Sequence, residues 1–201
     1  MKNAISFFLF LYLFSACKLL ACEGFIKAVS KGDSDKVKNY LKNGCDINME
    51  DEFNETPLTA AVLNDHYKIV ELLLEKRAHI SVKALRRAKS KGFTDIAQLI
   101  IGASGNKAKS IELVTGALDG DYEAVKRLLS EGADVNYADN EVGNALMGAI
   151  SAGNVDIVKL LLSKNVDLNI KDNEGHTALK NALLANQVEI IAILRTAGAT
   201  E

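Results

Sequence analysis

Three histidines (His66, His79 and His176) and three cysteines (Cys17, Cys22 and Cys45) are the side chains of this 201-residue chain best suited to chemistry. No Cys or His pair among them has the spacing at which two ligands meet one metal ion, so no metal centre is expected. No glycine loop of the phosphate-binding kind accompanies them, and no cofactor is expected. The densest charge is basic: Lys83, Arg86, Arg87, Lys89 and Lys91, with Lys107 and Lys109 following. Such a cluster could receive an anionic partner surface, a phosphate group or a lipid headgroup; the plainer reading is a solvated helix face partly satisfied by neighbouring acids. The chemistry on offer is recognition.

Composition sets the frame for it. With 48% hydrophobic and 25% charged residues the chain can bury a core, and it is neither fibrous nor disordered. Twenty-four Lys and Arg stand against 26 Asp and Glu, a net charge of -2, so no global field draws nucleic acid or an anionic membrane. One proline (Pro57), no tryptophan and abundant aliphatic residues favour short packed helices over sheets.

The N-terminus reads as an address. Lys2 is the one charge before Ala4 to Phe14, an uncharged, mostly large apolar run that is too short to cross a bilayer comfortably and fits a signal peptide over residues 1–16. Phe14-Ser15-Ala16-Cys17 resembles a bacterial lipobox, with Phe14 where Leu is usual. The resemblance implies that Cys17 becomes the lipidated first residue of the mature chain, residues 17–22 forming a tether and the lipid reaching the membrane. Leu19-Leu20-Ala21-Cys22 is a second candidate, interrupted by Lys18 and burdened by bulky Leu20. The alternative is an ordinary cleaved signal or uncleaved anchor in which Cys17 is incidental. Two or more acyl chains on Cys17 would meet the requirement for durable anchoring.

The elements that must carry these residues emerge from internal self-similarity. Gly32-Asp33, Asp65-His66, Gly92-Phe93, Gly120-Asp121, Gly153-Asn154 and Asn186-Gln187 each precede a similar apolar segment, at spacings of 33, 27, 28, 33 and 33 residues. Leu58, Ala61 and Val62 recur on one helical face, and Ile69, Val70, Leu72, Leu73 and Leu74 fill the next. The alanines Ala60, Ala61, Ala149 and Ala182 permit close helix approach. No single unit could bury such a face alone.

Thr56-Pro57-Leu58-Thr59, Thr177-Ala178-Leu179 and Gly132-Ala133-Asp134-Val135-Asn136 carry a resemblance to the ankyrin-repeat family over residues 23–201. It implies an all-α ankyrin-repeat solenoid of about six helix-turn-helix units with short β-hairpin fingers, the two central units shortened. Fingers are expected at 48–55, 136–143 and 169–176, while Ser81 to Ala84 and Ala103 to Lys109 link helices without a full hairpin. Ankyrin repeats bind with finger tips and the inner face of each first helix. Carried over position by position, this marks Glu52, Phe53, Asn54 and Glu55, then Asn140 and Glu141, then Asn173, Glu174 and His176, beside Lys83, Arg86 and Arg87 of the third unit. Phe53 is either an interface anchor, since a large aromatic is costly in water at a tip, or folds back onto the neighbouring repeat. His66 takes a turn position where ankyrins often carry a hydrogen-bonding His, and each His is accounted for by its repeat position, leaving no nucleophile-base order to argue for catalysis. Cys22 before the first helix and Cys45 after the second come to the same end of an antiparallel pair, so they are either a disulfide or two small buried hydrophobes.

The resulting expectation is a monomeric, exported, membrane-tethered scaffold in the bacterial periplasm or envelope, binding a protein partner through its concave face and finger tips, with no catalysis and no nucleic acid. The alternative is a secreted or surface effector or inhibitor that engages a host or toxin protein, or an anionic ligand, through the basic cluster.

Overall fold

A computed structural model describes residues 22–200. Six helix pairs follow one another: α1 (Phe25–Ser30) and α2 (Ser34–Lys42), α3 (Pro57–Leu63) and α4 (Tyr67–Glu75), α5 (Val82–Lys91) and α6 (Thr94–Ser104), α7 (Ala108–Asp119) and α8 (Tyr122–Ser130), α9 (Ala145–Ser151) and α10 (Val155–Leu162), α11 (Ala178–Leu184) and α12 (Val188–Thr196). The chain forms two compact units, residues 22–79 with 91–96 and residues 80–90 with 97–200.

Many of the helices start where a short polar side chain can accept an orphan backbone N–H. Asp33, Asp121, Asn144, Asn154 and Thr177 all do so, and Thr56 forms a reciprocal capping box with Thr59 ahead of Pro57 at the first helical position. Each turn between paired helices needs a left-handed residue. Gly32, Gly92, Gly120 and Gly153 supply it, while Asp65 and Asn186 reach the same region with φ of 57° and 53°.

In the first unit α1 packs on α2 and α3, and α4 on α3 and α2. Phe25, Val29, Val37, Val62, Val70 and Leu73 are wholly buried there. Cys22, the last residue of the expected tether, is 5% exposed and disulfide-bonded to Cys45, with Cα atoms 5.7 Å apart. It is therefore part of the packed unit, and in this state its sulfur has no capacity for lipid. In the second unit α9 packs against α7, α10 and α11. Gly148 lets α9 approach α7 closely: a Cβ there would stand 3.3 Å from the Val114 carbonyl and from the Leu118 nitrogen.

One sequence expectation about the fingers needs amendment. The fingers are not β-hairpins: among the described residues the only pairing is an isolated antiparallel bridge between Asp139 and Gly143, and the other two fingers are turns. A single backbone bond closes the base of each of these two, from the Asp51 N–H to the Glu55 carbonyl and from the Asp172 N–H to the His176 carbonyl, both at 3.1 Å. The link from 103 to 109 lacks a hairpin, as expected, and is itself helical, α6 running through a 3-10 turn at Gly105–Lys107 directly into α7.

Candidate protein-binding surface

Each finger is built on one aspartate. Asp51 Oδ1 accepts the Phe53 and Glu55 N–H groups, both at 2.9 Å; Asp172 Oδ1 accepts those of Glu174 and His176 at 3.0 and 2.9 Å. Asp139 Oδ1 accepts the Glu141 N–H at 3.0 Å, and its second oxygen accepts the Val82 N–H at 2.9 Å, so this buried carboxylate also anchors the start of α5. A short acceptor at the first turn position folds the loop locally, as Asx turns do. The Asp172 carboxyl lies below its ordinary value: burial pushes it up, but hydrogen bonds from the Asn181 amide and from the His176 and Glu174 backbone outweigh that.

The Asp-x-Asn triplets that precede the fingers do a second job. Asp46, Asp134 and Asp167 each accept the N–H two residues on, from Asn48, Asn136 and Asn169. Asn48 and Asn136 in turn accept the N–H of His79 and Asp167 from the next repeat, both at 2.7 Å. Sequence reasoning centred on the exposed tips misses these aspartates, although their recurrence at each finger is a visible signal.

At the tips Phe53 is 72% exposed and does not fold back onto its neighbour. Glu52, Asn54, Asn140, Asn173 and Glu174 are exposed as well, while Glu55, Glu141 and His176 are half-buried, with His176 Nδ1 3.4 Å from Glu174. Lys83 is 4.0 Å from Glu141, and Arg86 donates to Asp119 on α7 at 2.6 Å. Lys89 donates to Glu112 at 3.3 Å and Lys109 to the Glu131 carbonyl at 2.9 Å. Arg127, hydrogen-bonded to the Glu131 carboxylate, holds that carboxyl below its ordinary value. The basic cluster is thus interleaved with acids from α7, the end of α8 and a finger. Lys83, Arg86 and Arg87 border a groove of about 490 Å³ whose far wall is Leu118, Asp119 and Val142.

His66 serves structure. His66 Nε2 lies 3.0 Å from the Ser30 carbonyl, and at the equivalent places Asn154 and Gln187 side chains donate to the Gly120 and Ile150 carbonyls at 3.4 and 2.7 Å. A position filled equally well by an imidazole and by two carboxamides needs a hydrogen-bonding side chain, not a base. Among the described residues no group of His, Cys, Asp and Glu could hold a metal ion, and no helix is long and apolar enough to cross a membrane. Cys17 and residues 1–16 lie outside the described residues.

A family model of ankyrin repeats in three copies matches residues 25–110 and again 113–200. Among solved structures, the crystal structure of an ankyrin repeat domain from Acinetobacter baumannii is 25% identical, covering 88% of this chain and 98% of that one with a TM-score of 0.43. No curated protein matches. Two family matches that together take in nearly the whole described chain, on helix pairs with left-handed turns and Asp-built fingers, settle the assignment: this chain belongs to the ankyrin-repeat family.

Proposed function

We propose that this chain is an exported, membrane-tethered scaffold that binds one protein partner through finger tips and the inner faces of first helices, without catalysis. Ankyrin repeats generally mediate protein-protein interaction, and their fold is a non-catalytic scaffold. The observation that carries the reading here is Phe53: a finger fixed by Asp51 holds an aromatic side chain 72% exposed, an arrangement that costs free energy in water and is recovered when a partner covers the ring. The Cys22–Cys45 disulfide supports export, because such bonds persist outside the reducing cytosol. Acids set against Lys83, Arg86 and Lys89 weigh against the α5 cluster as a site for a free anion.

The test places a photo-crosslinking phenylalanine analogue at position 53, and in a second variant at Val188, which is as exposed but begins α12 and belongs to no finger. Expressed in a Gram-negative host with its own N-terminus, the first variant should give one discrete protein adduct and the second none. Adducts of equal pattern from both positions would mean nonspecific exposure and end the finger assignment. Fatty-acid labelling that disappears in Cys17→Ser tests the tether separately.

A further inference from the structure

A group of basic side chains without acid partners is gathered outside α5. Lys38 and Lys42 of α2, with Lys76 and Arg77 at the end of α4, border an open groove of about 1020 Å³ in the first unit. None of the four is in an ion pair with an acid among the described residues, in contrast to Lys83, Arg86 and Lys89 of α5. Two acids, Asp46 and Glu75, also line the groove, so it keeps a local excess of two positive charges. Its floor is aliphatic, with Leu41 and Leu72 half-buried between the charged residues.

Cys45 lines the same groove and is bonded to Cys22. Only five peptide steps join Cys22 to Cys17, and five residues of fully extended chain span at most ~18 Å. A lipid on Cys17 would therefore keep this groove close to the headgroup layer. We propose that the groove bounded by Lys38, Lys42, Lys76 and Arg77 docks on an anionic phospholipid surface, its cations meeting lipid phosphates while the acyl anchor enters the bilayer. The inference rests on the tether reading. It gives the anchor a second, electrostatic contact, and paired signals of this kind bind membranes more firmly than either one alone.

The experiment uses the full chain carrying Cys17→Ser, which removes the acyl site and leaves every groove residue in place. Flotation is compared on vesicles of phosphatidylcholine with and without phosphatidylglycerol; the apolar N-terminal run contributes to both. The expected result is an excess on the anionic vesicles on the order of tenfold that high salt abolishes. Lys42→Glu with Lys76→Glu should remove the excess, whereas Lys164→Glu with Lys171→Glu, an equal charge change at exposed sites of the second unit, should leave it. No excess on anionic vesicles, or an excess lost equally in both double variants, overturns the proposal, as does displacement by inorganic phosphate at low concentration, which would make the ligand a soluble anion. Fatty-acid labelling of the wild-type chain is read in parallel. Labelling without an anionic excess keeps the tether and removes the groove, and an excess without labelling does the reverse.

Discussion

Asp139 accepts two backbone N–H groups on two different oxygens, from Val82 and from Glu141, in a site only 3% exposed. A carboxamide offers one acceptor and one donor group, so in Asp139→Asn either N–H must face an NH2 at hydrogen-bond distance whichever way the amide is turned. That leaves a buried donor unsatisfied and should cost about 1–3 kcal/mol. Asp51 makes its two finger bonds through Oδ1 alone, so Asp51→Asn can keep both and should stay within about 0.5 kcal/mol of wild type. Urea unfolding of the two variants separates the cases; equal losses would show that the finger needs charge rather than acceptor count. The basic residues teach the converse lesson about what a sequence displays. Lys83, Arg86 and Lys89 are conspicuous as a run, but their acids, Glu141, Asp119 and Glu112, lie far along the chain and meet them only once helices pack. Lys38, Lys42, Lys76 and Arg77 show the opposite: they are scattered in sequence and gathered by folding.

Helices and turns are legible in the sequence because their signals are local. Caps such as Thr56 and Asn154, the left-handed glycines and a 33-residue period each act over a few residues, and the repeats state them again and again. Finger architecture is not, because hairpin or turn depends on the number of residues between helix end and next cap and on which side chain takes the free N–H groups. How closely α7 and α9 pack is equally hidden, and Gly148 tests it. Adding a methyl in mid-helix ordinarily stabilises by up to ~1 kcal/mol. At Gly148 it would meet backbone atoms of α7 at 3.3 Å, which cannot swing aside, so Gly148→Ala should destabilise by about 1–2 kcal/mol net. Gly102 in α6 has nothing within 4 Å of where a methyl would stand, and Gly102→Ala should gain the propensity term. Thermal melts of opposite sign for the two variants are the expected outcome; a stabilised Gly148→Ala would mean that α7 and α9 are free to move apart.

At the scale of the molecule the question is how far one covalent bond reaches. The Cys22–Cys45 disulfide closes a 23-residue separation wholly inside the first unit. Restricting the unfolded chain over such a loop is worth about 3 kcal/mol. Repeat proteins distribute stability among neighbouring units, so a loss at one end opens that end first. Reduction, or Cys45→Ser, should therefore raise amide exchange in α1 to α4 while the protection of α9 to α12 stays close to wild type. Hydrogen exchange read by mass spectrometry distinguishes this from global loosening. Uniform loss of protection along the chain would make the two units one cooperative body. Local loss would instead mean that the oxidising environment stabilises the part of the protein nearest its N-terminus, where Phe53 and the unpaired basic groove also lie, so redox state would govern both proposed contact surfaces of the first unit and leave the later fingers formed.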